Sequence, residues 1–391
     1  MTDGQQGKAG RKPTDLERYL AGQRRRPPIS RRRFLGMAAA APVAAWLAAC
    51  SKDPSTGGGG GPATAGPLED ELIVYNWTNY LNEETIKAFE AEYGVTVQAT
   101  DFYESNEELL AKIQGGATGY DVVAPTGYMV EIMGAEGLLL ELDSERLPNL
   151  SNVDPQFRGL DFDPENKFHV PKDWGTTGFM YLSDQVSEDL VSWDDFYNVA
   201  PDYSGRYTVL DGAVEVTGSF LKRLGYSWNT TDQAEVDEAT AQMVEFKPHV
   251  EAITSTEYRE LMGRADTWLA LGWNGDSFYI YEDQPSTKYV VPSEGTEYWL
   301  DAWSVLASAP HPNLAHEFLN WILTPERQGI ETNFTYYASA VTGAAEFTDE
   351  AITGDPAIYP SSDVIAKLEA TASDPVLVDQ RVEAFTRFQS A

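Results

Sequence analysis

The sequence predicts a two-lobed α/β fold, and three observations predict it. Short apolar runs alternate with amphipathic helical patterns from Leu72 to Pro125, and the same alternation returns from Tyr207 to Trp273. About 325 residues follow the last low-complexity stretch. Strand and helix patterns alternating at this spacing argue for parallel strands covered by helices. A body of that length favours two lobes over one.

The chain opens with an address. Arg24, Arg25 and Arg26 precede Ser30-Arg31-Arg32-Arg33-Phe34-Leu35, a twin-arginine pattern, and a moderately apolar run extends from Gly36 to Ala49. A charged segment, an apolar segment of this length and small residues before a cleavage point read as an export signal over residues 1–50. The run falls short of the roughly 20 residues that span a bilayer. Leu47-Ala48-Ala49-Cys50 resembles a bacterial lipobox, so Cys50, the single cysteine, is expected to carry lipid and to attach the protein to the membrane. Residues 51–67 are rich in Gly, Ser, Pro, Ala and Thr, with glycine unbroken from Gly57 to Gly61. Such a stretch buries no core and is expected to act as a loose tether.

Leu72-Ile73-Val74-Tyr75 reads as a buried strand. A helix begins at Asn82-Glu83-Glu84, carries Ile86, Phe89 and Tyr93 on one stripe and stops at Gly94. Val95, Val97 and Ala99 alternate as a strand, Glu104 to Gln114 reads as a helix, and Asp121-Val122-Val123-Ala124 as a strand ended by Pro125. Ligands in such sheets bind beyond the carboxyl ends of the strands, which places Asn76–Tyr80 and Thr126-Gly127-Tyr128 on neighbouring loops at one rim. Further on, Tyr207–Leu210 reads as a strand, Val214–Leu224 as a helix and Leu269–Trp273 as a strand. A hairpin-like stretch around Tyr289-Val290-Val291 and Tyr298-Trp299 precedes Ala302–Leu306, and short helices cover His316–Leu323 and Pro325–Thr332. Two lobes linked by chain crossings are expected in preference to one continuous sheet: 68–177 with about 300–345, and about 178–299 with 346–391.

Charge excludes one class of partner. The chain holds 28 basic and 61 acidic side chains; without the ten basic and three acidic residues of 1–50, 18 and 58 remain, a formal net of −40. A body this acidic repels phosphate backbones, so nucleic acid is not an expected partner. Acidity of this kind is ordinarily a matter of solubility and specifies no ligand. The four histidines do not cluster at ligand spacing, so no metal site is expected, and no cofactor. Templates for a nucleophile elbow, a phosphate-binding glycine loop or a zinc-protease helix are absent from the sequence, and no catalytic residue is assigned.

Aromatics beside carboxylates recur at predicted strand ends: Trp77 and Tyr80, Tyr128, Asp211 and Glu215, Trp273 with Asp276, Trp299 with Asp301, and Tyr336-Tyr337. Any one of these pairs is ordinary on its own. Their recurrence suits an alkyl chain bearing several ammonium groups. Flat rings line the methylenes and attract cations, about 0.5–2 kcal/mol for each contact. Carboxylates meet the charges, and a buried charge left unpaired costs about 3–5 kcal/mol.

These same residues carry a family resemblance. From Leu72 to the C-terminus the chain resembles the periplasmic spermidine/putrescine-binding proteins of ABC importers. The likeness lies in Tyr75-Asn76-Trp77-Thr78-Asn79-Tyr80, Tyr103–Glu107, Tyr120–Thr126, Trp273-Asn274-Gly275-Asp276, Pro292–Gly295 and Trp299-Leu300-Asp301. The resemblance implies a two-lobed periplasmic-binding-protein fold of type II that closes over its ligand, with no enzymatic activity. It places Trp77, Thr78, Tyr80, Thr126 and Tyr128 at the ligand from one lobe. Glu215 falls on the ligand-binding glutamate, Trp273 and Trp299 on stacking positions, Asp301 on the ammonium-binding aspartate and Tyr337 on a late tyrosine. Expected partners are a small polyamine, a membrane permease with its ATPase, and the membrane itself through Cys50; a monomer at the outer face of the cytoplasmic membrane or in the periplasm is expected.

The chain departs from the family in places that bear on the ligand. Asn79 replaces an acidic residue, and Gly212 stands where spermidine-type members carry a second aspartate. Asp276 resembles putrescine-type members. Glu215, Asp276 and Asp301 would serve a diamine at least as well as a triamine. Two rivals stay open: the same fold holding another solute, such as an amino acid or an opine-like compound, and a secreted hydrolase. The lack of an arginine among the matched positions speaks against a ligand with free carboxylates.

Overall fold

The computed structural model describes residues 66–391. The export signal, Cys50 and tether residues 51–65 lie outside the described residues. At the described end of the tether, the Gly66 N–H donates to Asn313 Oδ1 at 3.0 Å.

The described strands are β1 (Glu71–Trp77), β2 (Thr96–Tyr103), β3 (Val122–Val123), β4 (Val170–Leu182), β5 (Tyr207–Val209), β6 (Val250–Ile253), β7 (Leu269–Trp273), β8 (Thr287–Val290) and β9 (Tyr298–Val305). β1 lies parallel to β2 and β3, and β5 lies parallel to β6 and β7. Each parallel set is the product of strand–helix–strand alternation. The helix Glu83–Tyr93 starts where the Asn82 side chain accepts the Glu84 N–H at 2.9 Å, and ends at Gly94, whose φ of 70° is left-handed. The helix Asn106–Gln114 starts two residues later than its apolar spacing suggests, because Ser105 caps it. The helix Ala213–Arg223 follows β5 with its inner face wholly buried.

Three expectations need correction. Hydrogen bonding does not stop between the parallel sets: the strand order is β2-β1-β3-β9-β4-β7-β5-β6, with β8 also on β4. The sheet is continuous because β4, about 43 Å long at 3.3 Å per residue, is shared. Its Val170–Thr176 half pairs with β9, and its Thr177–Leu182 half with β7 and β8. Nor do residues 289–291 and 298–299 form a hairpin; β8 and β9 each run antiparallel to different stretches of β4. Finally, Thr126-Gly127-Tyr128 is not a loop: Thr126 is the N-cap of the helix Gly127–Ala135, which puts Tyr128 in its first turn.

The buried apolar side chains fall into two large clusters. One draws on Leu72 to Trp174 and on Leu300 to Ile358, the other on Phe179 to Ile280 and on Leu377 to Phe388. Ile352 and Ile358, expected with the second lobe, pack in the first cluster instead. A third, small group of rings (Tyr80, Trp299 and Tyr337, flanked by Trp77 and Trp273) includes Trp299, which pairs with Gly175 close to where β4 passes from β9 to β7.

Candidate ligand-binding site

The topology delivers side chains to one place. β1 ends at Trp77 and leads into Thr78 and Tyr80; β3 leads to Thr126 and Tyr128; β5 leads to Glu215; β7 ends at Trp273, just before Asp276. Strand β9, crossing between the two sets, contributes Trp299 and Asp301, and the chain leaving the helix Pro325–Thr335 contributes Tyr337. All these residues line a single narrow cleft of about 80 Å³. Tyr337 enters it because Tyr336, at the helix C-cap, takes a left-handed φ of 60°, a conformation unusual for an aromatic residue.

Rings form much of the wall. Trp77 and Trp273 approach edge to face with centroids 6.5 Å apart, Trp299 meets Tyr337 at 4.9 Å, and Tyr80 meets Tyr337 at 5.9 Å. The Trp77 indole is locked by its N–H, which donates to the Ala124 carbonyl at 2.7 Å. Gly175 of β4 has no side chain for a physical reason: a Cβ there would lie 2.4 Å from both the Trp299 ring and Asn274.

Asp301 is held by a chain of donors. Asn106 Nδ2 donates to Thr126 Oγ1 at 3.0 Å, and Thr126 Oγ1 donates to Asp301 Oδ1 at 2.7 Å. The Tyr80 hydroxyl lies between two acids, 2.8 Å from Asp301 Oδ2 and in a short contact with Asp173. Lys172 Nζ pairs with Asp173 at 2.7 Å and stands 3.5 Å above the centre of the Tyr80 ring. Even so, burial and then the charge of Asp173 push the Asp301 carboxyl up to about 7.

Glu215 sits in the first turn of its helix, where backbone N–H groups favour an anion. Its carboxylate folds back over Gly212, at which a Cβ would meet Oε2 at 2.2 Å. The missing side chain at 212 thus makes the room that Glu215 occupies. Burial, then the charges of Glu297 and Glu107, raises the Glu215 carboxyl well above its ordinary range. Glu297 accepts the hydroxyl protons of Thr177 at 2.8 Å and Thr371 at 2.5 Å, and burial pushes it to about 7. None of the ion pairs among the described residues involves Glu215, Glu297 or Asp301.

Sequence reasoning missed Glu297 and Arg259, both in the cleft wall. Glu297 had a signal: it precedes Trp299 and Asp301 by two and four residues, so strand periodicity puts all three on one face. Arg259 lies outside the positions matched to the family, among which no arginine stood, and brings a guanidinium into the cleft wall. It also alters the reading of Asp276, whose Oδ2 accepts from the Tyr258 hydroxyl while Oδ1 lies 3.1 Å from the Tyr337 hydroxyl and 3.5 Å from Arg259 Nη1. Asp276 lines the cleft with its partners already in place.

Two buried cores on one crossing sheet, with a ring-lined acidic cleft where they meet, define a binding protein for a small solute. The chain belongs to the bacterial extracellular solute-binding protein family, whose model matches residues 84–360. It is 31% identical over 337 residues to the spermidine/putrescine-binding periplasmic protein 1 of Haemophilus influenzae, covering 85% of this chain and 92% of that one. It is also 31% identical to the putrescine-binding periplasmic protein PotF of Escherichia coli, over 84% of this chain and 93% of that one. Among solved structures, a putative spermidine/putrescine ABC transporter protein from Listeria monocytogenes superposes with a TM-score of 0.78 at 31% identity, covering 82% of this chain and 99% of that one.

Proposed function

We propose that this protein is the substrate-binding component of an ABC importer for small polyamines, of the putrescine and spermidine class. One observation carries the reading: buried Glu297 and Asp301 and half-buried Glu215 share a cleft walled by aromatic rings, and among the described residues no cation is paired with any of them. Gathering acids that burial and mutual repulsion push towards neutrality is unfavourable. A ligand that supplies two positive charges on an apolar chain relieves that cost and lays its methylenes on Trp77, Trp273, Trp299 and the neighbouring phenols.

Capture proceeds by closure. Trp77, Thr126, Tyr128 and Asp301 approach the ligand from one side, Glu215 and Trp273 from the other, and only the closed arrangement satisfies both sets. Closure turns on β4, the strand that both halves share. The closed protein then presents its ligand to a membrane permease, while Cys50, through an attached lipid, holds it at the outer face of the membrane as a monomer.

Calorimetric titration of the purified protein with putrescine, spermidine, an amino acid and an oligosaccharide tests this reading. Micromolar binding of an amine, about 8 kcal/mol, is the expected result. Heat from the amino acid or the sugar alone, or turnover of any of the four, contradicts it.

A further inference from the structure

Among the described residues that line the cleft, one is a cation. Arg259 extends from the helix Tyr258–Gly263, its guanidinium 4.7 Å above the Tyr279 ring and its Nη1 3.5 Å from Asp276 Oδ1. Asp276, buried at 6% exposure, has hydroxyls of Tyr258 and Tyr337 on its two oxygens. A cation resting on an aromatic face and paired with a buried carboxylate is the arrangement that each end of a polyamine would adopt. Three acidic stations therefore line the cleft. Asp301 stands at one, Glu215 with Glu297 at another, and Asp276 at the third; the first two have no protein cation paired to them, and the third is filled.

We infer that Arg259 acts as a built-in ammonium substitute that occupies the Asp276 station and restricts the cleft to amines carrying two positive charges. The inference rests on the polyamine reading above and refines it. A triamine would have to place its third ammonium beside a guanidinium, where like charges repel in a medium of low polarity, or expel Arg259 from Asp276 and leave it unpaired. A diamine needs neither. Arg259 is thus a specificity residue at the end of the cleft, and Asp276 acts through it.

The test is competition between 1,4-diaminobutane and spermidine on the wild-type protein and on R259Q and R259K, each by calorimetry. Wild type is expected to bind the diamine at least about tenfold more tightly. R259Q frees Asp276 and is expected to move the affinity ratio towards the triamine by at least about tenfold, whereas R259K, which keeps a cation, moves it far less. A wild-type protein that binds both amines equally or prefers the triamine overturns the role of Arg259 and leaves the polyamine reading standing. So does a ratio unchanged in R259Q. Failure of wild type to bind either amine overturns both together. R259A, read in the same way, takes the place of R259Q if that variant does not fold.

Discussion

Trp77 and Trp273 meet edge to face across the cleft, ring centroids 6.5 Å apart, one at the end of β1 and the other at the end of β7. Each belongs to the margin of a different hydrophobic cluster. Their contact is thus a direct report on how the two halves stand to one another. Trp273→Ala is expected to weaken amine binding by about 3- to 30-fold, the equivalent of one cation–π contact, and to reduce the ligand-induced change in tryptophan fluorescence. An unchanged affinity would place Trp273 outside the binding surface.

Asp301→Asn removes one ammonium partner without altering shape. Its binding of diamine is expected to fall at least about tenfold, with a thermal midpoint showing that the protein stays folded. Unchanged affinity would remove Asp301 from the account.

The same residue sets a pH dependence. Asp301 and Glu297 titrate near 7 in the folded, ligand-free protein, chiefly through burial, against about 4 when unfolded. Between those values the folded state holds more protons than the unfolded one, so these two groups make stability fall as pH rises from about 4 to about 7 and level off above. D301N is expected to flatten this fall, measured as thermal midpoint against pH without ligand. An ammonium favours the ionised carboxylates, so diamine affinity should rise between about pH 6 and 8 with release of protons. Binding heats that do not depend on the buffer would contradict this.

Lys172 and Asp173 form a buried pair under Tyr80, side chains 1% and 5% exposed. Lys172→Met strands Asp173 beside Asp301 and should cost about 3–5 kcal/mol in urea unfolding. Lys172→Met with Asp173→Leu removes both charges and should cost distinctly less. Equal losses would show that the pair matters for packing rather than for charge.

Gly212→Ala probes the seat of Glu215. The backbone there has an ordinary φ of −128°, so the new methyl brings steric conflict with the Glu215 carboxylate and no conformational strain. Diamine binding should weaken about tenfold while global stability changes by less than about 1 kcal/mol. Full affinity would mean that Glu215 has another place to go.

Much of this was legible in the chain. The alternation from Leu72 to Pro125 gave strands and helices in register, since each segment buries one face and is punctuated by Asn82, Gly94 and Pro125. The cleft residues stood out because indoles and carboxylates recur at strand ends. Strand β4 was hidden for the opposite reason. Pro171, Lys172, Asp173, Gly175 and Gly178 contradict a strand locally, yet all its residues are buried. Its two charges pair with each other as chain neighbours, Lys172 with Asp173, and are covered by Tyr80 from a distant part of the chain, and its glycines yield to Trp299 and Tyr289. Arg259 was hidden likewise, as one polar residue in the short helix Tyr258–Gly263 with its partner Asp276 on another.

The most direct measurement is a crystal structure of the protein soaked in 1,4-diaminobutane. The expected result has the carbon chain between the Trp77, Trp273 and Trp299 rings, one ammonium within hydrogen-bond distance of Asp301 and the other beside Glu215 or Glu297. A diamine seated elsewhere, or a cleft filled only by water at saturating diamine, would contradict the account.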